Sequence, residues 1–292
     1  MNCTQRNLRT TKSGIESLVR SGSVAAAMAL TALFLTTPAH SEESRLDTIM
    51  KRNKLIVAVS STTPPNGFID DKGVLTGFEN EFARLMAKAL LGDPEKIEFM
   101  VVTTDGRFPA VLSGKADFGI STATIYPDRV TKVAFTRPYM DSGTAVVVRA
   151  GSPIKSLADL NNAKVTLSSV NSSAMVDRAK RLAPLATPLF FDGDAAAILA
   201  LKSGRANAYQ SDVPVANYFV AQSKGEYIKL PGLLGNVNNN AIFMKPGDFQ
   251  LWLALDTVVQ EYVAGSRYDE YKALYHKWFD KDPPPARSYI VN

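Results

Sequence analysis

The chain is poor in the side chains that most often carry covalent or metal chemistry. It has 292 residues, one cysteine (Cys3) and two histidines (His40 and His276). What it offers instead are arginines, carboxylates and clustered hydroxyls where strand-like runs give way to helical ones. Thr124 and Arg129 are separated by four residues, and Pro127 between them suits the first turn of a helix, whose free N–H groups favour an anion. Asp212, in Gln210-Ser211-Asp212-Val213-Pro214, lies just past a strand-like run, where it can cap the next helix or face a cation. Ser168-Ser169-Val170-Asn171-Ser172-Ser173 likewise leads from a strand into a helix. Such groups hold ions and dipoles by charge and hydrogen bonding.

The first 41 residues read as a leader rather than as part of a fold. Arg6, Arg9, Lys12 and Arg20 precede an apolar run from Val24 to Thr36, and Ala39-His40-Ser41 places small residues where a signal peptidase cuts. The run is shorter than the ~20 residues that span a bilayer. Cys3 lies upstream of it, so it is not a lipid-attachment cysteine, and export as a soluble periplasmic protein is expected. Without the leader, 29 basic and 27 acidic residues remain, a net charge of +2. That small excess, without a basic run, excludes a nucleic-acid footprint. Cys3 and His40 leave with the leader. Any metal site or Ser/His/Asp triad would then have to be built around His276 alone.

The elements that must position these groups alternate. Leu55 to Val59, Ile97 to Val102 and Asp117 to Ile120 read as strands. Between them Glu79 to Leu91 is an amphipathic helix with Phe78, Phe82, Leu85, Met86, Ala89 and Leu90 on one face, and Phe108 to Ser113 is a short helix. Thr76 with Glu79 fits a capping box. The pattern restarts with strands at Ala145–Val148, Lys164–Leu167, Leu189–Phe191 and Ala206–Gln210. Helices are expected at Ala174–Leu182, Asp194–Ser203, Val213–Gln222, Asp248–Ala264 and Tyr268–Trp278, with a further strand at Asn240–Met244. Such alternation predicts parallel α/β layers. The β runs near Ala145 and Ala241 bracket one lobe inserted into another. Two connections make a hinge, and a hinged cleft is a natural ligand site.

Several segments in order carry a family resemblance: Leu55-Ile-Val-Ala-Val, Gly73-Val-Leu-Thr-Gly-Phe-Glu, Leu112-Ser-Gly-Lys-Ala-Asp-Phe, Thr124-Ile-Tyr-Pro-Asp-Arg129, Phe135-Thr-Arg-Pro-Tyr139, Ser156-Leu-Ala-Asp-Leu160 and Tyr275-His-Lys-Trp-Phe279. Together they resemble the polar amino-acid type (family 3) of extracellular solute-binding proteins that serve ABC importers. The resemblance implies an α/β, two-lobe periplasmic-binding-protein-like fold of class II, each lobe a mostly parallel sheet flanked by helices, joined by two crossing strands. The expected division is a signal peptide over 1–41, a first lobe over 42–144 and 238–282, a second over 145–237, and a flexible tail over 283–292.

The same resemblance implies roles for single residues. Arg129 would fork onto the ligand α-carboxylate with Thr124 in support, as a planar guanidinium can. Asp212 would pair with the ligand ammonium, aided by Thr122. Ser169, Ser172 and Ser173 stand in the family's second carboxylate loop, where Asn171 replaces the usual glycine and could adopt a left-handed conformation. Ser60, Thr63 and Thr104 occupy positions where relatives often place an acid and two aromatics. Arg107 stands where some acidic-amino-acid binders read the side chain. A cationic ligand would lose both a carboxylate and cation–π faces, which favours a small neutral or acidic polar amino acid. The expected partners are that ligand and the inner-membrane permease subunits of an ABC transporter, with the protein acting as a monomer and without a cofactor. Rival readings are a dehydratase-like enzyme on the same fold and a sensor for a membrane receptor. The first lacks a general acid or base among Ser60 and Thr104, and His276 is expected to serve packing. Nothing resembling a membrane span or kinase segment accompanies the second.

Overall fold

The computed structural model describes residues 43–284. The expected leader, with Cys3 and His40, lies outside the described residues. Of the expected tail only Pro283 and Pro284 fall inside them, and Pro283 is buried.

In chain order the first strands are β1 (Leu55–Val59), β2 (Thr62–Thr63), β3 (Gly67–Ile69), β4 (Leu75–Thr76), β5 (Ile97–Val101), β6 (Phe118–Gly119) and β7 (Ala134–Ser142). Then come β8 (Thr144–Arg149), β9 (Thr166–Val170), β10 (Thr187–Phe191), β11 (Ala208–Asp212), β12 (Tyr227–Lys229) and β13 (Asn238–Met244). The helices are α1 (Arg45–Arg52), α2 (Phe78–Leu91), α3 (Arg107–Leu112), α4 (Pro127–Val130) and α5 (Ser173–Leu182), followed by α6 (Asp194–Lys202), α7 (Val213–Gln222), α8 (Phe249–Ala264) and α9 (Tyr268–Phe279).

Two five-stranded sheets result, in the orders β5-β1-β6-β13-β7 and β10-β9-β11-β8-β12. In each, four strands run in one direction and one runs against them, β13 in the first sheet and β8 in the second. Each sheet is buried on both faces, as parallel sheets must be. In β8, Val146 and Val148 enter one apolar cluster while Ala145 and Val147 enter another on the opposite side. In the first lobe, α2, α8 and α9 bring Phe78, Phe82, Tyr262 and Tyr271 together on one face. Ala58, Val111 and Phe243 fill the other. The chain passes from first sheet to second through Gly143 alone, between β7 and β8, and returns between β12 and β13. A Cβ on Gly143 would meet the Leu233 side chain at 2.8 Å, so the two crossings pack tightly.

Several expectations need correction. The three-stranded sheet β2–β3–β4 has strands of two or three residues, too short to leave a periodicity. Pro138 masks β7, which tolerates it as an edge strand with register shifts against β13. The capping box does not form. Thr76 belongs to β4, Gly77 takes the cap position of α2 without a side-chain bond, and Glu79 is fully buried and turned elsewhere.

Gly119 of β6 lies beneath the Phe243 ring, which an added Cβ would approach to 2.1 Å. Gly119→Ala should therefore lower stability by about 1–3 kcal/mol through overpacking, measured as a shifted urea midpoint at unchanged slope.

Candidate functional site

The ends of the sheets converge on one narrow polar pocket. On the first-lobe side, β6 runs into Ile120–Thr124. Thr122 there takes φ 50°, a left-handed conformation strained for a β-branched residue. Its N–H donates to Glu79 Oε1 at 2.7 Å, and the Tyr139 hydroxyl donates to the same oxygen. Oε2 of Glu79 is buried without a hydrogen-bond partner. Burial raises the Glu79 carboxyl from 4.5 to about 7, against the opposing pull of Tyr139, Thr122 and Arg107.

Arg129 sits in the short helix α4, opened by Pro127, and is only 5% exposed. Its Nη1 donates to the Thr124 carbonyl at 2.9 Å. Its guanidinium lies 4.9 Å from the Tyr126 ring centre and 5.6 Å from that of Phe108. One edge of the fork is thus fixed by the chain and both neighbouring rings favour its charge. Burial lowers its pKa. The Thr124 hydroxyl donates to Asn240 Oδ1 at 3.1 Å, tying the loop to β13. Arg107 donates Nη1–H to the Ser121 carbonyl at 2.8 Å. Burial, then the neighbouring Arg129 charge, lowers its pKa to about 10, so it remains a cation at neutral pH.

The second-lobe side contributes Asp212, at the end of β11. It occupies the cap position of α7, yet its side chain bonds no helix N–H. Burial and nearby Asp194 raise its carboxyl to about 7. Asp194, at the start of α6, accepts from the Tyr209 hydroxyl and from Ser211 Oγ at 2.6 Å. Ser172 caps α5 by accepting from the Met175 N–H at 3.4 Å while lining the pocket.

Of the residues singled out in the sequence, Arg129, Thr124, Thr122, Arg107, Thr104, Thr63, Asp212 and Ser172 line this pocket. Three do not. Ser60 stands behind Thr63, oxygen to oxygen at 2.9 Å. Ser169 is fully buried and donates to the Gln210 carbonyl at 3.1 Å, because strand alternation turns it towards β11 while Val170 reaches the pocket. Ser173 is exposed and borders a separate surface groove beside Asp128 and Arg181. Asn171 does not adopt a left-handed conformation; its Nδ2 donates to Asp105 Oδ2 at 3.1 Å on the facing lobe. His276 is exposed, with its ring 3.8 Å from the Asp282 carboxylate, and is not a packing residue. Sequence reasoning missed Glu79 and Asp194. Asp194 repeats the pattern that exposed Asp212, an acid between a strand and a helix start, whereas the role of Glu79 depends on partners 43 and 60 residues away.

The two walls touch around the pocket. Thr104 Oγ1 reaches the Asp192 carbonyl at 3.4 Å, and a Cβ on Gly193 would fall 2.2 Å from Thr62 Oγ1. Two α/β lobes meeting on a polar pocket between double crossings define the class of two-lobed solute receptors. Residues 55–281 match the bacterial extracellular solute-binding proteins, family 3, and the chain belongs to that family. It is 31% identical over 247 residues to an ABC transporter glutamine-binding protein of Bacillus subtilis, covering 83% of this chain and 88% of that one. Among solved structures it resembles the ancestral amino acid-binding protein AncCDT-1, a precursor of cyclohexadienyl dehydratase. The TM-score is 0.74 and the identity 33%, over 81% of this chain and all of the other. An L-cysteine receptor of Neisseria gonorrhoeae matches with TM-score 0.74 and 27% identity, over 81% and 93%. The chain is accordingly an amino-acid solute-binding protein of the ABC-transporter type.

Glu79 binds more protons folded than unfolded between pH 4.5 and about 7. Its contribution to stability is therefore fully present below that window and is lost as pH rises through it. Urea unfolding of the wild type and Glu79→Gln from pH 5 to 8 isolates this contribution. The wild type's stability relative to the variant should fall up to about pH 7 and then level; a difference independent of pH would contradict the assignment.

Proposed function

We propose that this protein captures a small polar α-amino acid, with a neutral or acidic side chain, by closing its lobes on it, and delivers it to an inner-membrane permease. The observation that carries this reading is the presence in one pocket of Arg129 from the first lobe and Asp212 from the second. Both are nearly buried, and the Asp212 charge reaches Arg129. An α-amino acid is the complementary zwitterion: its carboxylate would take the free edge of Arg129 and its ammonium would meet Asp212, with Thr122 and the Ser121 carbonyl nearby. Ser172, on the second lobe, would add a hydroxyl to the carboxylate. The chain then works as a periplasmic monomer in transport, not as an enzyme.

The side-chain end of the pocket supports the choice of ligand. Thr63 and Thr104 supply hydroxyls and Arg107 supplies a positive charge. Asp194 also borders the pocket, but its Oδ1 is already engaged by Tyr209 and Ser211. A ligand ammonium or guanidinium there would lose water and face Arg107, which is costly.

Two outcomes test the reading. Arg129→Ala should weaken binding by about 2–5 kcal/mol, as loss of one member of a buried charged contact does, and Arg129→Lys should fail too, because a point charge does not reproduce the fork. Near-normal affinity by calorimetry in either variant would remove Arg129 from the site. In a thermal-shift screen of the mature protein against the common amino acids, glutamate, glutamine or a similar ligand should raise the melting temperature, and lysine and arginine should not. At 100 times Kd the stabilisation is about 2.7 kcal/mol. Lysine or arginine giving the largest shift would show the side-chain subsite to be misassigned.

A further inference from the structure

One buried cation takes no part in the site described above. Arg178 of α5, in the second lobe, is 6% exposed. Its Nη1 donates to the Thr144 hydroxyl and lies 3.8 Å from the Met175 sulfur. Its Nη2 donates to the Tyr126 hydroxyl at 2.9 Å. These partners are neutral, so among the described residues the buried guanidinium has no carboxylate at ion-pair distance, an arrangement that persists only where other contacts hold it. Its field nevertheless reaches the pocket, where it opposes the charge of Arg129 and favours that of Asp212.

The Tyr126 contact crosses the cleft. Tyr126 is the residue before α4 in the first lobe, and its ring is the closer of the two aromatic faces against the Arg129 guanidinium. Arg178, Tyr126 and Arg129 therefore form a relay that begins on one lobe and ends on the proposed carboxylate anchor of the other. We infer that Arg178 is a positioning residue: through the Tyr126 hydroxyl it fixes the ring against which Arg129 is oriented, and it does so only while the lobes are closed. The inference rests on the reading of the cleft as a hinged amino-acid site.

A bond made only in the closed state adds to affinity without touching the ligand, since it shifts the closure equilibrium by its own free energy. Its removal should thus weaken every ligand by one shared factor and leave selectivity unaltered. A pocket contact behaves differently, because its loss falls unequally on different ligands. Tyr126→Phe deletes the hydroxyl and keeps the ring against Arg129. Arg178→Gln deletes the charge from the other end.

The probes are L-glutamine and L-glutamate, titrated into the wild type, Tyr126→Phe, Arg178→Gln and the double variant. Each single variant should bind both probes about 10- to 150-fold more weakly, through faster dissociation, a range set by hydrogen bonds to charged groups. The double variant should be no weaker than the worse single. Affinities within twofold of wild type for Tyr126→Phe, losses in Tyr126→Phe that differ several-fold between the probes, or additive losses in the double variant would each overturn the assignment. If neither probe binds the wild type, it is the proposed ligand class that fails, and the relay is then tested without ligand by hydrogen exchange. Tyr126→Phe should raise exchange together in residues 122–130 and 172–178, on the two sides of the contact. Unchanged exchange in that segment pair would refute the relay.

Discussion

Around one pocket this protein withdraws three carboxylates and two guanidinium groups from water, and much of the surrounding structure serves to keep them there. Each such burial costs several kcal/mol unless hydrogen bonds and countercharges offset it. The compensation is visible residue by residue. Arg129 and Arg107 each give a hydrogen to a carbonyl of the Ser121–Thr124 segment. Glu79 and Asp194 each accept from a buried tyrosine hydroxyl and one further donor. Asp212 differs, because its cap position leaves the carboxylate unspent. A carboxylate placed so that the helix behind it makes no claim on it remains available to something else.

The backbone bears part of the cost. Thr122 holds a left-handed conformation that its branched side chain disfavours, and the bond from its N–H to Glu79 is what stabilises it. Glu79 can take that position only because α2 begins at Phe78 without a side-chain cap, which frees the acid of the first turn to point inward. The same helix packs Phe78 and Phe82 into the aromatic cluster of α8 and α9. The rigidity of the first lobe's core is thereby passed to the loop facing the pocket.

How far this was legible beforehand depends on the range of the interactions involved. Helix α7, with its Pro at the first turn and Gln222 at its end, is written in local sequence, and so is the placement of Arg129 behind Pro127. The two crossings could be read because strand-like runs recur on either side of the inserted block. The register of Ser169 could not be: a shift of one residue along β9 decides whether a side chain faces the pocket or a neighbouring strand, and the serine run contains no marker for it. The buried role of Glu79 was hidden behind a plausible local alternative, since Thr76 three residues earlier satisfies the capping-box spacing. Tertiary partners overrode that pattern. The cross-cleft contacts of Asn171 and Arg178 lie beyond any argument from a single segment, because each partner belongs to the other lobe.

The division of charges between the lobes also bears on how recognition and closure are coupled. Had Arg129 and Asp212 stood on the same wall, a zwitterion could bind there with the lobes apart, and closing would add little. On the proposed reading, their placement on opposite walls means that each lobe alone would satisfy only one pole and leave the other in water. The full electrostatic gain would then arise only when both walls meet the ligand, so that differential affinity for the closed state would follow from the position of the charges. The raised pKa values fit this logic. In the ligand-free pocket Asp212 can moderate its burial by taking a proton near neutral pH. An arriving ammonium would replace that proton, so on the proposed reading the ligand substitutes one countercharge for another and leaves no bare carboxylate in the closed cleft.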